Sequence, residues 1–367
     1  MDRKDEIIQM QNEIMQGLLN QRMQLLSEDL WGIKPVSLQD NEPTAPISPV
    51  FPTAEAAPTE AQQAEQKEEE KKQEEEAPAE SMEDLKKELH GYIGLDTIKS
   101  EVDSLINWIE ICKARKEHDL PTPDLSLHMV FSGNPGTGKT MVARLMSRIY
   151  KSLGVLSKGH LVEVDRSGLV AGYVGQTAIK TDEVIKKAMG GVLFIDEAYA
   201  LTNRGGTDYG QEAVDTLLKA MEDHREDLVV IVAGYTELMK AFVHSNPGLE
   251  SRFNRFMFFP DYTIDEMVGI FNMRCGKSGY TLADGAEDTL REILTEESKD
   301  VESFGNARGV RNLFERAIAA QADRLAKGGE EINKDTLMSL KSEDLRAALE
   351  DKKAEAGEKE EETGKEL

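Results

Sequence analysis

Apolar residues recur in two alternating patterns through the middle of the chain. Five short segments rich in β-branched and aromatic residues are typical of buried strands. The longer segments between them repeat apolar residues at three- and four-residue steps, which predicts amphipathic helices. This alternation predicts a three-layer α/β domain with a mostly parallel five-stranded sheet, which we assign to residues 82–262. The predicted strands are Leu127–Phe131, Leu161–Val164, Val192–Ile195, Leu228–Val232 and Phe256–Phe259.

The strand pattern ends at Asp261. Thr263 followed by Glu266 matches a capping box, which predicts that a helix starts there. Residues 263–349 are therefore predicted to form a small, all-helical domain. Its further helices are predicted over Ala286–Ser298, Ala307–Ala326 and Lys334–Leu349.

The segments that flank these domains differ from them in composition. Residues 1–33 repeat paired apolar positions at helical intervals, which predicts an amphipathic helix too short to form its own core. Its apolar face would dock on another copy or on the body of this chain, or bind a partner, and the sequence leaves these alternatives open. Residues 34–81 are rich in proline, alanine and glutamate, and residues 350–367 are charged, so both are predicted to be disordered.

Charge and composition exclude several classes of partner. The chain has 69 acidic and 44 basic residues and a formal net charge of -25, which argues against binding to a nucleic-acid backbone. It contains no run of about 18 apolar residues that would predict a membrane span. Cys112 and Cys275 are far apart and lack metal-ligand spacing, which fits a reducing compartment. We therefore expect a cytoplasmic protein with no nucleic-acid or membrane partner.

The segment Phe131–Thr140, FSGNPGTGKT, carries the most specific pattern in the chain. It has the spacing G-x-x-x-x-G-K-T and lies between a predicted strand and a predicted helix, as a phosphate-binding loop does. Its glycines let backbone N–H groups face a triphosphate, and the helix N-terminus adds partial positive charge. Lys139 is predicted to reach the β- and γ-phosphates of this triphosphate, and Thr140 to ligate Mg²⁺. The predicted nucleotide-binding residues are Gly133, Asn134, Pro135, Gly136, Thr137, Gly138, Lys139 and Thr140.

A second candidate group follows the predicted strand Val192–Ile195. This apolar strand ends in two carboxylates, Asp196 and Glu197. Downstream of a phosphate-binding loop, this arrangement predicts that Asp196 lies just outside the direct ligands of Mg²⁺ or holds its water, and that Glu197 orients or activates the attacking water.

Together, these motifs resemble those of an AAA+ ATPase. Besides the loop and FIDEA, the chain contains GYVGQT at 172–177, NPGLESRFNR at 246–255 and GNARGVRN at 305–312. The spellings DYGQEAVDTLLKAMED and SNPGLESRF are similar to the CbxX/CfxQ family, which includes red-type rubisco activases and stage V sporulation protein K. The resemblance covers about residues 89–327. It implies a ring, usually a hexamer, with ATP bound between protomers.

The resemblance also implies roles for arginines. Arg252 and Arg255 have the R-x-x-R spacing of a pair that enters the neighbour's site, where a guanidinium stabilises charge on the transferring phosphate. The alternative for this pair is structural salt bridges. Arg308 matches the second sensor, which contacts the γ-phosphate from the lid, and Arg311 is the competing candidate.

A third implied feature is a pore loop that grips a polypeptide. Tyr173, Val174 and Gly175 match its aromatic-apolar-glycine pattern, although Tyr173 could instead pack against the following helix. Residues 208–210 are a weaker candidate for a second pore loop.

One position departs from the family pattern. Where many AAA proteins have a sensor asparagine after the fourth strand, this chain has Tyr235 and Thr236, and either could take that role.

The expected function is an ATP-driven enzyme that remodels a protein client. The alternative is an ATP-controlled assembly scaffold that recruits partners through its N-terminal helix. Within the family, no motif in the sequence distinguishes a rubisco-activating protein from a sporulation- or secretion-associated one, and of these we favour the sporulation-like branch.

Overall fold

The computed structural model describes residues 80–123, 126–173, 175–202, 209–328 and 331–350. The predicted N-terminal helix, nearly all of the linker and the tail after residue 350 lie outside these ranges. So do Val174 and residues 203–208.

Within the described residues, a five-stranded sheet with strand order β2-β3-β4-β1-β5 forms the centre of the first domain. Every neighbouring pair of its strands is parallel. All five predicted strands are confirmed, with ends that shift by at most two residues. The strands are β1 (Met129–Ser132), β2 (Leu161–Val164), β3 (Val192–Ile195), β4 (Val229–Gly234) and β5 (Arg255–Phe258).

Helices cover both faces of this sheet, because side chains alternate between faces along each buried strand. Phe131 and Phe194 join a core that also contains side chains from α1, α2 and α3. Val130 and Leu193 point the other way and join a core with α5, α6, α7 and α8. The helices are α1 (Met82–Gly91), α2 (Asp96–Glu117), α3 (Lys139–Ser152), α4 (Arg166–Leu169), α5 (Thr177–Ala188), α6 (Gly210–Asp223), α7 (Thr236–His244) and α8 (Pro247–Arg252), with a 3₁₀ turn at Ala198–Thr202.

The second domain begins at the predicted capping box. Thr263 Oγ1 accepts from Glu266 N, and the Glu266 carboxylate accepts from Thr263 N in return. Its core is continuous with the face of the sheet that α3 covers. Its elements are α9 (Ile264–Lys277), β6 (Thr281–Leu282), α10 (Ala286–Glu297), α11 (Val301–Phe304), α12 (Asn306–Ala326), α13 (Lys334–Met338), β7 (Ser339–Leu340) and a last helix, α14, over residues 342–350.

Two expectations for this domain are wrong in detail. Strands do not stop at Asp261, because β6 and β7 form a parallel pair. The predicted helix Lys334–Leu349 is interrupted at that pair. The interruption coincides with Gln321 on α12, which is buried and places its Nε2, with two protons to donate, 3.2, 3.1 and 2.8 Å from the carbonyl oxygens of Thr336, Leu337 and Ser339. A distant side chain thus takes the carbonyls that a continuous helix would use.

Candidate active site

The phosphate-binding loop occupies the turn between β1 and α3. At two of its positions, the backbone approaches neighbouring segments so closely that only glycine fits. Gly133 has a φ of +151°, and a Cβ there would lie 2.3 Å from Phe259 O. Gly136 has a φ of +72°, and its Cβ would lie 2.1 Å from Gly305 O in the second domain. The loop is therefore held between the edge strand and the start of α12.

The inner side of the loop presents unused donors. Within the described residues, no acceptor receives the backbone N–H groups of Gly136, Thr137 and Gly138. The Thr137 hydroxyl, which is buried, donates to Asn134 O at 2.8 Å and holds the turn closed. Free N–H groups at a helix N-terminus form a cradle for anions, so the loop fits the phosphates of a nucleotide.

Lys139 is the first residue of α3 and is folded back onto the loop. Its ammonium group donates to the carbonyl oxygens of Gly133 and Asn134, both at 2.8 Å. Burial lowers the pKa of Lys139, the positive charge of Arg308 lowers it further, and the carboxylates of Asp196 and Asp261 oppose this shift. A polyphosphate over the loop would compete with the two carbonyls for the ammonium group.

The predicted carboxylates follow β3 at the same edge of the sheet. Asp196 N donates to Val164 O at 2.8 Å, and the Asp196 carboxylate accepts from Glu197 N at 3.0 Å. Glu197 lies in the left-handed region, with a φ of 48°. The described residues contain no cluster of three or more acidic, histidine or cysteine ligands. The predicted Mg²⁺ ligands, Thr140 and Asp196, carry oxygen donors of the kind that this ion prefers, and Mg²⁺ is usually held by only one or two protein groups beside water and phosphate.

Two tyrosines lie beside these carboxylates. The ring centroids of Tyr199 and Tyr235 are 6.2 Å apart. The pKa of Tyr199 is raised, chiefly by burial and also by the negative charges of Glu197 and Asp196. Tyr235, a candidate first sensor, therefore lies near the predicted water-activating group. The sequence reasoning missed Tyr199, which stands two residues after Glu197.

A polar network joins the loop to the second domain. Asp261 accepts from Asn134 Nδ2 at 3.0 Å and from Asn306 Nδ2 at 2.8 Å. Asn306 is fully buried, donates to Pro135 O at 3.2 Å and accepts from Tyr262 N at 3.0 Å. Asp261 and Asn306 were not predicted. The only sequence signal was the position of Asn306 in the GNAR motif.

The geometry separates the two candidates for the second sensor. Arg308 lies in the first turn of α12, where the neighbouring Ala307 N donates to Gly136 O at 3.2 Å, and its charge acts on Lys139. Arg311 instead pairs with Glu315 at 2.9 Å on the surface of α12. Arg308 is therefore the arginine that lies beside the loop.

Arg252 and Arg255 lie away from this site. They stand at the end of α8 and the start of β5, and Arg255 pairs in register with Met129, the first residue of β1. The Arg255 guanidinium stacks 4.6 Å from the Trp108 ring centroid, and Arg252 pairs with Glu222 at 3.1 Å. Both arginines therefore make contacts within their own chain.

The predicted pore loop presents its tyrosine to solvent. Tyr173 is 74% exposed, so it does not pack against the following helix. The buried Thr177 pins the loop, since its hydroxyl accepts from Ala171 N at 3.1 Å. Gly175 has a φ of +76°, whereas Val174 lies outside the described residues. Of the weaker second loop, Asp208 is also outside them, and Gly210 begins α6.

Comparisons with known proteins bear on both domains. Residues 129–261 match the model of the ATPase family associated with various cellular activities (AAA), and residues 263–355 match the AAA lid domain. The chain is 42% identical to stage V sporulation protein K of Bacillus subtilis, over 74% of this chain and 84% of that protein. It is 45% identical to a CfxQ homolog of Trieres chinensis, over 69% and 87% of the two chains. It is 42% identical to the chloroplastic ribulose bisphosphate carboxylase/oxygenase activase of Cyanidioschyzon merolae, over 72% and 90%.

The chain belongs to the CfxQ branch of the AAA+ ATPases. This AAA+ protein is therefore an ATP hydrolase with a nucleotide-binding α/β domain and a lid, as the motifs predicted. In the described part of the chain, no helix is long and apolar enough to cross a membrane.

Proposed function

We propose that this AAA+ protein assembles into a ring, usually a hexamer, and uses ATP hydrolysis to remodel a protein client. The observation that carries this proposal is the exposure of Tyr173 on a loop whose flank is pinned by a buried threonine. A large aromatic side chain left in solvent gains nothing for folding, but it is well suited to gripping a polypeptide.

Within one protomer, the site residues divide the work of hydrolysis. The N–H groups of the loop and Lys139 hold the phosphates, and Thr140 and Asp196 would hold Mg²⁺, which would offset the negative charge of the triphosphate. Glu197 accepts the proton of the attacking water. Arg308 contacts the γ-phosphate from the lid. When this phosphate leaves after hydrolysis, the contact is lost and the lid angle changes.

The remaining positive charge comes from a neighbour. Arg252 and Arg255 enter the next protomer's site, and their distance from their own loop supports this assignment. A guanidinium supplied in this way contributes about 10³ to 10⁵ in rate. Hydrolysis then depends on assembly, and each turnover is coupled to movement between neighbours. We place this activity in the cytoplasm, without a nucleic-acid or membrane partner.

The client is proposed to be a protein. One relative is named as an activase of ribulose bisphosphate carboxylase/oxygenase and another as a sporulation protein. The first name agrees with action on a protein target, and that target belongs to that relative; the second name specifies no client.

Replacing Tyr173 by alanine tests the proposal. The probe is a fluorescein-labelled unfolded polypeptide, reduced and carboxymethylated α-lactalbumin, and its binding is followed by anisotropy in ATP. Each variant is placed in the Glu197→Gln background, which should bind ATP but not turn it over. Tyr173→Ala should weaken probe binding by about tenfold, as loss of an aromatic anchor does. Without the Glu197 change, its basal ATPase should stay within about twofold of the parent.

Ile179→Ala is the matched control, because Ile179 is also exposed, at 62%, and lies on the helix that follows the loop. It should bind the probe as the parent does. If Tyr173→Ala binds the probe as tightly as Ile179→Ala does, the proposed grip on a client through Tyr173 is refuted. The scaffold that recruits partners through its N-terminal helix then becomes the better account.

A further inference from the structure

A cleft of about 590 Å³ opens at the amino-terminal edge of the sheet. Its walls come from the second half of α2, the ends of α6 and α8, and the segment that leads into β1. The phosphate-binding loop follows the other end of β1. The cleft and the nucleotide site therefore lie at opposite edges of the same sheet.

Basic side chains outnumber acidic ones around this cleft. The excess of two positive charges stands out in a chain with a formal net charge of -25. Within the described residues, Lys113 and Arg225 form no hydrogen bond or ion pair through their side chains. Such a cleft favours an anionic ligand. Its charged residues are Lys113, Lys116, Arg225, Arg252, Glu222 and Glu226.

Arg252 also has an unused donor at this cleft. Its Nη2 donates to Glu222 at 3.1 Å, but its Nε is buried and has no hydrogen-bond partner among the described residues. A buried donor without an acceptor is unfavourable, and an acceptor brought from outside would remove that cost.

The wall of the cleft contributes no further charge near neutral pH. His128 is buried, and its Nδ1 accepts from Val230 N at 3.0 Å. Burial, together with the nearby charge of Arg252, lowers the pKa of His128 to about 4. The positive charge of the cleft therefore comes from its lysines and arginines alone.

The opposite edge of the sheet has the complementary character. It carries the carboxylates of Asp196 and Glu197, and a triphosphate on the loop adds further negative charge. Complementary surfaces at two places on one chain favour head-to-tail contact between copies, the type of contact that closes into a ring.

We propose that Lys113 and Arg225 bind in trans the phosphates of the nucleotide held by the next copy, beside Arg252. This inference rests on the proposed ring. It adds two residues of the α/β domain to the neighbour's site: Lys113 on α2, and Arg225 just after α6. Their charges hold the phosphates in front of Arg252, and a phosphate oxygen accepts from its Nε.

Mixing two full-length variants tests this assignment. Lys139→Ala lacks the cation of its own loop but keeps its cleft, whereas Arg225→Ala keeps its loop but loses a cation from its cleft. Arg225→Ala alone should hydrolyse ATP about tenfold more slowly than wild type, the effect of losing one charged contact. An equimolar mixture should exceed the mean of the two separate rates, because the cleft of one copy serves the loop of the other.

Two variants control for charge and for folding. Arg225→Lys keeps the charge and should recover most of the rate. Arg291→Ala removes a partly exposed lid arginine, paired with Asp265, and should leave the rate within about twofold of wild type. Arg225→Ala should bind a fluorescent ATP analogue with wild-type affinity, since its own loop is intact.

The outcomes distinguish this inference from the proposed function. If the specific ATPase of wild type rises with protein concentration, but Arg225→Ala and Lys113→Ala hydrolyse at its rate, the trans assignment is overturned and the ring stands. If the ATPase rate of the equimolar mixture equals the mean of the two separate rates, the trans assignment is likewise overturned. If wild-type specific ATPase is independent of concentration, both fail.

Discussion

Glu197 occupies a backbone conformation that a residue with a side chain rarely adopts. Its φ of 48° costs about 1–2 kcal/mol. The same turn lets Glu197 N donate to Asp196, which orients that carboxylate at the end of β3. The protein thus accepts local strain at the point where the positions of two carboxylates relative to the phosphate-binding loop decide the chemistry.

His128 makes folding sensitive to mild acid. Its pKa is about 4 in the folded protein and about 6.5 when unfolded, so the unfolded state binds the proton first. The contribution of neutral His128 to the free energy of unfolding is therefore full above pH 6.5, and it decreases as the pH drops from 6.5 towards 4. Between pH 7.5 and 5.5, we expect the free energy of unfolding to fall by about 1 kcal/mol from this residue.

Urea unfolding at the two pH values checks this prediction against His128→Gln. That variant keeps a side-chain acceptor for Val230 N but has no group that titrates in this range. Other groups shift both proteins equally. Equal losses in wild type and His128→Gln would show that His128 is not responsible.

The residues of the candidate site fall into two groups: those that a local sequence motif predicts and those that it does not. Lys139, Thr140 and the two carboxylates after β3 could be predicted, because each stands at a fixed spacing in a strand-loop-helix context. Asp261 and Asn306 could not, because their partners Asn134 and Pro135 are more than 120 residues away along the chain.

At the scale of elements, α12 is built against the phosphate-binding loop. Its first residue, Asn306, has a φ of 53° and is buried, and Ala307 N donates to Gly136 O. The lid therefore starts at the loop that would hold the phosphates. We therefore expect a change in the loop to move the base of this helix and so to couple the nucleotide state to the lid angle.

Gly136→Ala should break this contact. The new Cβ would lie 2.1 Å from Gly305 O, a backbone atom that cannot move without shifting α12, and φ would remain at +72°. We expect a loss of about 2–3 kcal/mol in unfolding free energy and weaker binding of a fluorescent ATP analogue, since the loop must change shape. Urea unfolding and an anisotropy titration measure the two effects.

Gly279→Ala isolates the effect of the clash. Gly279 has a φ of +73°, but its Cβ would meet no atom within 4 Å. It should lose only about 1 kcal/mol and leave analogue binding unchanged. If both variants lose the same stability, close packing of the loop on α12 is not what this position requires.

At the scale of the whole molecule, the two edges of the sheet hold residues that the proposed function assigns to different copies of the chain. The carboxyl edge holds the loop, Asp196 and Glu197, and the amino edge holds Arg252 and the basic cleft. No single copy can bring both edges to one nucleotide, because the strands separate them. The active unit is therefore expected to be an assembly.

A monomer should bind ATP and hydrolyse it poorly. Dilution below the assembly range should leave analogue affinity nearly unchanged while specific ATPase falls by at least about 10³, the contribution of a guanidinium from a neighbour. Analytical ultracentrifugation at the same concentrations reports the assembly state. Fast turnover in a sample shown to be monomeric would contradict this account.

The sequence by itself determined the five strands of the sheet, the phosphate-binding loop, the two carboxylates and the start of the lid. These features are local, because each depends on residue types within one strand, turn or helix. Their patterns can therefore be recognised in the sequence without knowing the fold. Only the tertiary structure decided that Arg308 rather than Arg311 lies beside the loop, that β7 interrupts a predicted helix, and that basic residues from two helices and the segment after α6 form one cleft. Each of these depends on contacts between residues distant in the chain, which no periodicity within a segment records.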